Sequence, residues 1–128
     1  MATPARSNRR LVVAVDTTAE EIAVMRLSGN LDINSVPVLQ AYLEPLWRQP
    51  RLSGLVVDVA EVDFCDSTGL GKLMGARNLC QGRGVGFALA GAVGIMQRLL
   101  VLTGLHPYLD TYPDADAAVR NLASPPER

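Results

Sequence analysis

The run GLVVDVAEV, residues 54–62, constrains the fold of this 128-residue chain more than any other segment. It is rich in β-branched residues and nearly continuous in its apolar character, which is typical of a strand covered on both faces. A second apolar run, VGFALAG at residues 85–91, has the same character. Strands buried on both faces occur in parallel sheets whose connections are helices, so these two runs predict an α/β fold.

Four segments around these strands have helical spacing or helix caps. Asn34 or Ser35 can cap the first predicted helix, Pro37 fits its first turn, and the pattern stops at Pro50. The second helix follows FCDST and ends at residues 82–84, the third covers residues 93–103, and Asp114 caps the fourth. The apolar positions that define the first three helices are Val36, Leu39, Leu43, Leu46, Leu70, Leu73, Met74, Met96, Leu99 and Leu100.

The chain opens with two short strand patterns, LVVAV and IAVMRLSG, joined by the polar segment TTAEE. A short link of this kind predicts an antiparallel hairpin. NLDIN follows as a loop, and residues 108–112 are expected to form a short edge strand. We therefore predict one α/β domain over residues 11–122, with a mostly parallel sheet, an N-terminal antiparallel hairpin and about four helices. Residues 1–10 are expected to be a disordered lead and residues 123–128 a frayed tail.

Charge and cysteine content favour a cytoplasmic protein that does not bind nucleic acid. The chain has 12 basic and 13 acidic side chains, and no basic stripe of the kind that binds nucleic acid. Cys65 and Cys80 lie far apart and in apolar patterns, so both are expected to be small buried groups without a disulfide or a zinc ion. The absence of a disulfide framework suits a reducing cytoplasm.

Residues 85–105 are apolar enough to resemble a membrane span. Gln97 and Arg98 lie inside this segment, and a charge at the centre of a span costs about 2.5–3.5 kcal/mol on insertion scales. Gly91 and Gly94 also divide it. A buried strand followed by a helix explains the segment better, and we expect no association with a membrane.

The stretch FCDSTGLGKL, residues 64–73, places polar side chains where a strand pattern ends and a helical pattern begins. A phosphate-binding P-loop would need GxxxxGK followed by Ser or Thr. Gly71 and Lys72 fit, but Asp66 replaces the first glycine and Leu73 replaces the hydroxyl residue. A carboxylate among the phosphate-binding amides would repel the ligand, which argues against a nucleotide site.

A serine nucleophile at Ser67 is also disfavoured. Gly69 fits the GxSxG pattern, but Cys65 occupies the other small-residue position. A nucleophilic serine needs a positioned base, and the one histidine, His106, belongs to a predicted loop after the third helix. The chain offers no clustered His/Cys set, so we expect neither a metal nor another cofactor.

Helix capping explains only part of the DST sequence. One Asp, Ser or Thr is enough for a cap, which contributes about 1 kcal/mol, yet three such residues occur here. A helix start also gathers unpaired N–H groups and a partial positive charge. Open α/β sheets usually carry their function at this carboxyl edge.

Three segments together resemble the STAS domain family, and in particular the bacterial anti-sigma factor antagonists. They are VVDVAEVDFCDSTGLGKL, LSGNLDINSVPVLQAYL and LAGAVGIMQRLLVLTGL. The resemblance covers roughly residues 11–122. It implies a non-enzymatic switch that binds an anti-sigma factor serine kinase and so releases a sigma factor. The kinase then phosphorylates the serine of the motif, and a metal-dependent serine phosphatase reverses the reaction.

Carried onto this chain, the resemblance makes Ser67 the phosphorylated residue, and Thr68 takes the place of a second serine found in many members. Asp32 matches the aspartate of the family's Gly-x-Leu-Asp segment. Six residues are expected to contribute to the partner surface: Asp32, Asn34, Asp66, Thr68, Gly69 and Met96. Leu70 and Leu73 are expected to pack in the core. Two alternatives stay open, namely a STAS subunit of a stressosome or lipid-transport complex, and a small enzyme that uses Ser67.

Overall fold

The sheet has five strands in the order β1-β2-β3-β4-β5, in a computed structural model that describes residues 8–124. The strands are β1 Val12–Thr17, β2 Ile22–Leu31, β3 Gly54–Cys65, β4 Gly86–Ala90 and β5 Thr111–Tyr112. β1 is antiparallel to β2, and the other neighbouring strands are parallel. The predicted hairpin followed by a parallel sheet is confirmed.

Four α-helices connect or flank these strands within the described residues. They are α1 Val36–Trp47, α2 Ser67–Gly82, α3 Ile95–Leu102 and α4 Ala115–Ala123, with a short 3-10 turn at His106–Tyr108. α1, α2 and α3 pack on one face of the sheet, where they bury the larger apolar core. α4 packs on the other face through Ala115 and Ala118. The predicted α/β class and number of helices are therefore confirmed.

β3 is buried on both faces over its first half, as its sequence predicts. Leu55 and Val57 belong to the core beneath α1–α3, and Val56 belongs to the core beneath α4. β3 then continues past β4, because Asp58 pairs with Ala90 at the end of β4 while Cys65 pairs with Leu31 at the end of β2. The carboxyl ends of β2 and β3 thus project together beyond β4.

Several boundaries differ from the sequence prediction. β2 includes Asn30 and Leu31, predicted as loop, because they pair with Phe64 and Cys65 of β3. Tyr108 lies in the 3-10 turn with Pro107 and not in the edge strand, which is only two residues long. The span-like segment 85–105 contains β4 and α3, and none of the described helices is long and apolar enough to cross a membrane.

The predicted disordered lead is ordered in part. The backbone N–H of Asn30 donates to the carbonyl oxygen of Arg9 at 3.3 Å, and the Arg9 guanidinium pairs with Asp63 at 3.1 Å. Residues 8–11 therefore run alongside the end of β2. Residues 1–7 of the predicted lead and residues 125–128 of the predicted tail lie outside the described residues.

Candidate functional site

The candidate site is the N-terminus of α2, at the projecting ends of β2 and β3. Asp66 is the N-cap, and its Oδ1 accepts a hydrogen bond from the backbone N–H of Gly69 at 2.8 Å. Ser67 and Thr68 are the first two helical residues, and both are exposed. Of the three polar residues in the DST sequence, Asp66 alone thus forms the cap, and the two hydroxyls are presented to solvent.

Asp66 also attaches the start of α2 to the β2–α1 loop, residues 32–35. Its Oδ2 accepts from the backbone N–H of Ile33 at 3.1 Å, and its own N–H donates to the carbonyl oxygen of Leu31 at 3.2 Å. The two carboxylate oxygens therefore bind two different segments of the chain. Because each bond uses a backbone group, the position of the loop relative to Ser67 depends on Asp66.

Gly69 allows this close approach. A Cβ at Gly69 would lie 2.3 Å from the carbonyl oxygen of Leu31, well inside van der Waals contact. Any other residue would push β2 and α2 apart at the point where Asp66 joins them. The glycine of the DSTGLG sequence is thus a packing requirement of the site.

Asp32 organises the loop from inside. Its side chain is buried, and Oδ1 accepts from the N–H groups of Asn34 at 3.0 Å and Ser35 at 3.1 Å. Ser35 occupies the N-cap position of α1, one of the two predicted cap positions, but its hydroxyl makes no side-chain cap bond within α1. That hydroxyl oxygen accepts instead from the N–H of Asp32 at 2.9 Å.

The chemistry available at the site is that of an exposed alcohol at a helix start. Within residues 8–124, no side chain or backbone group makes a hydrogen bond with the Ser67 hydroxyl that would have to break on modification. The first N–H groups of a helix have no intrahelical partner, and the helix dipole favours negative charge there. Ser67 can therefore accept a phosphoryl group without loss of a native side-chain bond.

Comparison with known proteins was made on this fold and site. Residues 14–118 match the STAS domain family. The chain belongs to the STAS domain family. The match runs from within β1 through all five strands, including both projecting strand ends, and ends in the first turn of α4.

Relatives of this STAS domain carry regulatory names. An anti-sigma-B factor antagonist from Staphylococcus aureus is 30% identical over 89 residues, which cover 70% of this chain and 82% of that protein. The crystal structure of an anti-sigma factor antagonist from Mycobacterium paratuberculosis superposes with a TM-score of 0.80 at 23% identity, covering 94% of this chain and all of that one. The phosphorylated form of the Bacillus cell fate determinant SpoIIAA superposes with a TM-score of 0.68 at 21% identity, covering 86% and 99% of the two chains.

The STAS fold brings together most of the residues predicted for the site, but it exposes only some of them. Asn34 and Thr68 are exposed beside Ser67, and Asp66 is half-buried. Asp32 and Gly69 are buried, so they hold the site together from within and do not form its surface. The prediction that Asp32 and Gly69 lie on the partner surface is therefore wrong, because both residues are buried.

Met96 was predicted at the partner surface, and this prediction is wrong. Its side chain is fully buried in the core beneath α3, together with Leu100. The physical reason is the helical spacing itself, since Met96 and Leu100 are one turn apart on the face that packs against the sheet. The predicted packing of Leu70 and Leu73 in the core is confirmed.

Sequence reasoning missed Ile33. Its side chain is 61% exposed, although its backbone N–H is bonded to Asp66. The signal was present in the sequence, because Ile33 is an isolated apolar residue between Asp32 and Asn34. It adds an exposed apolar side chain to the loop that Asp66 joins to the start of α2.

Cys65 immediately precedes the site, and its thiol is buried. Burial, and then the nearby carboxylates of Asp66 and Asp32, raise the pKa of the Cys65 thiol to about 12. The thiol is therefore protonated at neutral pH, and a protonated thiol is a poor nucleophile. Among residues 8–124 no group of three or more His, Cys, Asp or Glu side chains could hold a metal ion.

Proposed function

We propose that this STAS protein is an anti-sigma factor antagonist that is switched off by phosphorylation of Ser67. In its unmodified form it binds an anti-sigma factor that is also a serine kinase, and the bound sigma factor is released. The kinase transfers the γ-phosphoryl group of ATP to the Ser67 hydroxyl, whose proton is lost, and the complex dissociates. A serine phosphatase restores the unmodified form.

The observation that carries this proposal is the exposed, unengaged hydroxyl of Ser67 at the first position of α2. A kinase must reach that oxygen without unfolding its substrate, and Ser67 meets the requirement because Asp66 provides the cap instead. The names of the relatives and the solved phosphorylated form of SpoIIAA support the same reading by similarity.

The surface around Ser67 is suited to a contact that tolerates no added charge. Ile33 contributes exposed apolar area, and Asn34 and Thr68 contribute uncharged polar groups. A phosphoserine carries about −1.5 to −2 charges at neutral pH. The half-buried Asp66 adds further negative charge beside it, so the partner would have to desolvate or neutralise both groups.

The folded state tolerates the same charge. The N–H groups at the start of α2 and the helix dipole favour an anion by about 0.3–1 kcal/mol at an exposed helix end. In the complex, a penalty of about 5.5 kcal/mol shifts an equilibrium by roughly four powers of ten. One modification can therefore leave the fold intact and still abolish binding.

The test uses the purified chain with each anti-sigma factor kinase of its source organism. Incubation with ATP followed by phosphosite mapping should label Ser67, and Ser67→Ala should remove the label while retaining binding. Ser67→Asp should weaken binding by at least about 100-fold, since that corresponds to only about 2.7 kcal/mol.

Leu102→Asp is the matched control, because it adds the same charge on an 82% exposed side chain at the C-terminal end of α3, and it should leave binding unchanged. If phosphorylation is specific to Ser67, Thr68→Ala should still be labelled. Labelling that maps to Thr68 alone, or binding that is equally strong for wild type and for Ser67→Asp, would refute the proposed switch.

A further inference from the structure

β1 forms one edge of the sheet in the described part of the chain. Within residues 8–124 its single strand partner is β2. Alternate residues of an antiparallel strand direct their N–H and C=O groups away from the neighbour, so an edge strand offers a row of groups for pairing. β1 is six residues long and has no proline, whereas the opposite edge strand, β5, has only two residues. β1 is thus the edge that can accept another strand.

The side chains of β1 alternate between a buried and an open face. Leu11 and Val13 belong to the core beneath α1–α3. The open face carries Val12, which is 62% exposed, and Asp16, whose side chain is 81% exposed. A valine exposed to this extent at the first position of an edge strand, with no lysine beside it, is an unusual feature for a strand that stays unpaired.

An apolar stripe on α1 borders the same edge. One side of α1 faces α2, where Lys72 Nζ donates to Gln40 Oε1. The opposite side carries Val38 and Tyr42, one turn apart and 41% and 43% exposed. Val38 lines a cavity of about 530 Å³ together with Leu11, which places this side of α1 next to the start of β1.

We propose that β1 pairs antiparallel with β1 of a second copy of this chain and forms a two-fold symmetric dimer with a continuous sheet. Charge selects the register. With Val13 on the axis, Leu11 lies opposite Val15 of the second copy on the helix side. On the open side Arg10 lies opposite Asp16 of the second copy, where it adds a second cation to the exposed pair that Asp16 makes with Arg26 of its own chain at 3.4 Å, and symmetry repeats each contact. A register with Ala14 on the axis would place Asp16 opposite Val12 and lose both ion pairs.

The two-fold axis also brings the Val38 and Tyr42 stripes of the two copies next to each other. An axis perpendicular to the sheet puts both α1 helices on the same face, one on each side of the new strand pair. Val38 and Tyr42 then face their counterparts across the junction. Ser67 lies at the start of α2, which packs on the side of α1 away from Val38 and Tyr42, so the dimer leaves Ser67 accessible, whereas Asn34 lines the same cavity as Val38 and Leu11. The proposal is therefore independent of the proposed function.

The test is sedimentation equilibrium of the full chain over a wide concentration range. Wild type should associate as a dimer. Arg10→Asp and Asp16→Arg should each weaken association at least about tenfold, because each places two like-charge pairs across the junction. The double variant should restore association to within about threefold, which a merely structural effect of either substitution would not do.

Two further variants complete the design. Tyr42→Lys should weaken the dimer through the α1 stripe without altering β1. Leu102→Lys is the matched control on α3, where the leucine is 82% exposed, and should leave association unchanged. The proposal is overturned if wild type remains monomeric up to about 1 mM, if neither charge variant weakens the dimer, or if the charge swap does not restore it.

Discussion

Replacement of Gly69 by alanine provides the sharpest test of how the site is assembled. The added Cβ would lie 2.3 Å from the carbonyl oxygen of Leu31 and 2.9 Å from the Leu31 side chain. Relief of this overlap requires the start of α2 to move away from β2 by roughly 1 Å, since contacting heavy atoms lie near 3.5 Å. That movement would also lengthen the bonds that Asp66 makes to Leu31 and Ile33.

The expected cost follows from two opposing effects. Overpacking of this kind costs about 1–3 kcal/mol. Alanine in a helix recovers about 0.5–1 kcal/mol relative to glycine. We therefore expect Gly69→Ala to lower the free energy of unfolding by about 1–2 kcal/mol, or the melting temperature by about 4–8 °C.

Two glycines of the same helix serve as controls. A Cβ at Gly71 or Gly75 would meet nothing within 4 Å, so alanine at either position should raise the free energy of unfolding by about 0.5–1 kcal/mol. Urea unfolding followed by the fluorescence of Trp47 measures all three variants. If Gly69→Ala is as stable as Gly71→Ala, the close approach of α2 to β2 is not what requires the glycine.

Three other predictions concern Asp66 and the buried thiols. Asp66→Ala removes the acceptors for the N–H groups of Gly69 and Ile33, so it should lower the free energy of unfolding in urea by about 1–2 kcal/mol. Asp66→Asn should lower it by less, because the amide keeps one acceptor oxygen. Equal stability of wild type and both variants would refute the bridging role of Asp66. Burial raises the pKa of Cys65 to about 12 and of Cys80 to about 11, so a thiol-specific disulfide reagent at pH 8 should react far more slowly with the native than with the unfolded protein. Unfolded thiols ionise near their ordinary pKa of 9.0 while the native thiols stay protonated, so the unfolded state binds fewer protons and stability should fall as pH rises above about 9. A Cys65→Ala, Cys80→Ala double variant should lose less stability over the same pH range.

The order and type of the elements could be predicted because they depend on local periodicity. One example is the β-branched run at residues 54–62, which is consistent only with a buried strand. Another is the helical spacing of the apolar residues Leu39, Leu43 and Leu46, which is consistent only with a helix. The end of β2 could not be predicted in this way, because Asn30 and Leu31 are extended only through pairing with β3. Strand pairing between distant segments has no local sequence signal.

Predictions for the site succeeded where they rested on capping and failed where they rested on proximity alone. Capping chemistry was sufficient to predict that a polar residue starts α2. It could not predict that Asp66 divides its two oxygens between Gly69 and Ile33, since the second bond spans 33 residues. Met96 was assigned to the surface from its place near a sheet edge, although its spacing with Leu100 already indicated the core.

The hydrogen bond between Asp66 and Ile33 fixes the backbone of the β2–α1 loop without constraining which side chain the loop carries at position 33. The carboxylate accepts from the backbone N–H of Ile33, and the isoleucine side chain takes no part in that bond. The isoleucine can therefore be exchanged for another residue while the bond to Asp66 stays in place, and under the proposed function such an exchange would change which partner the surface prefers. Under the same proposal, related proteins in one cell could acquire different partners through single replacements at this position while Ser67 and its helix start remain the same.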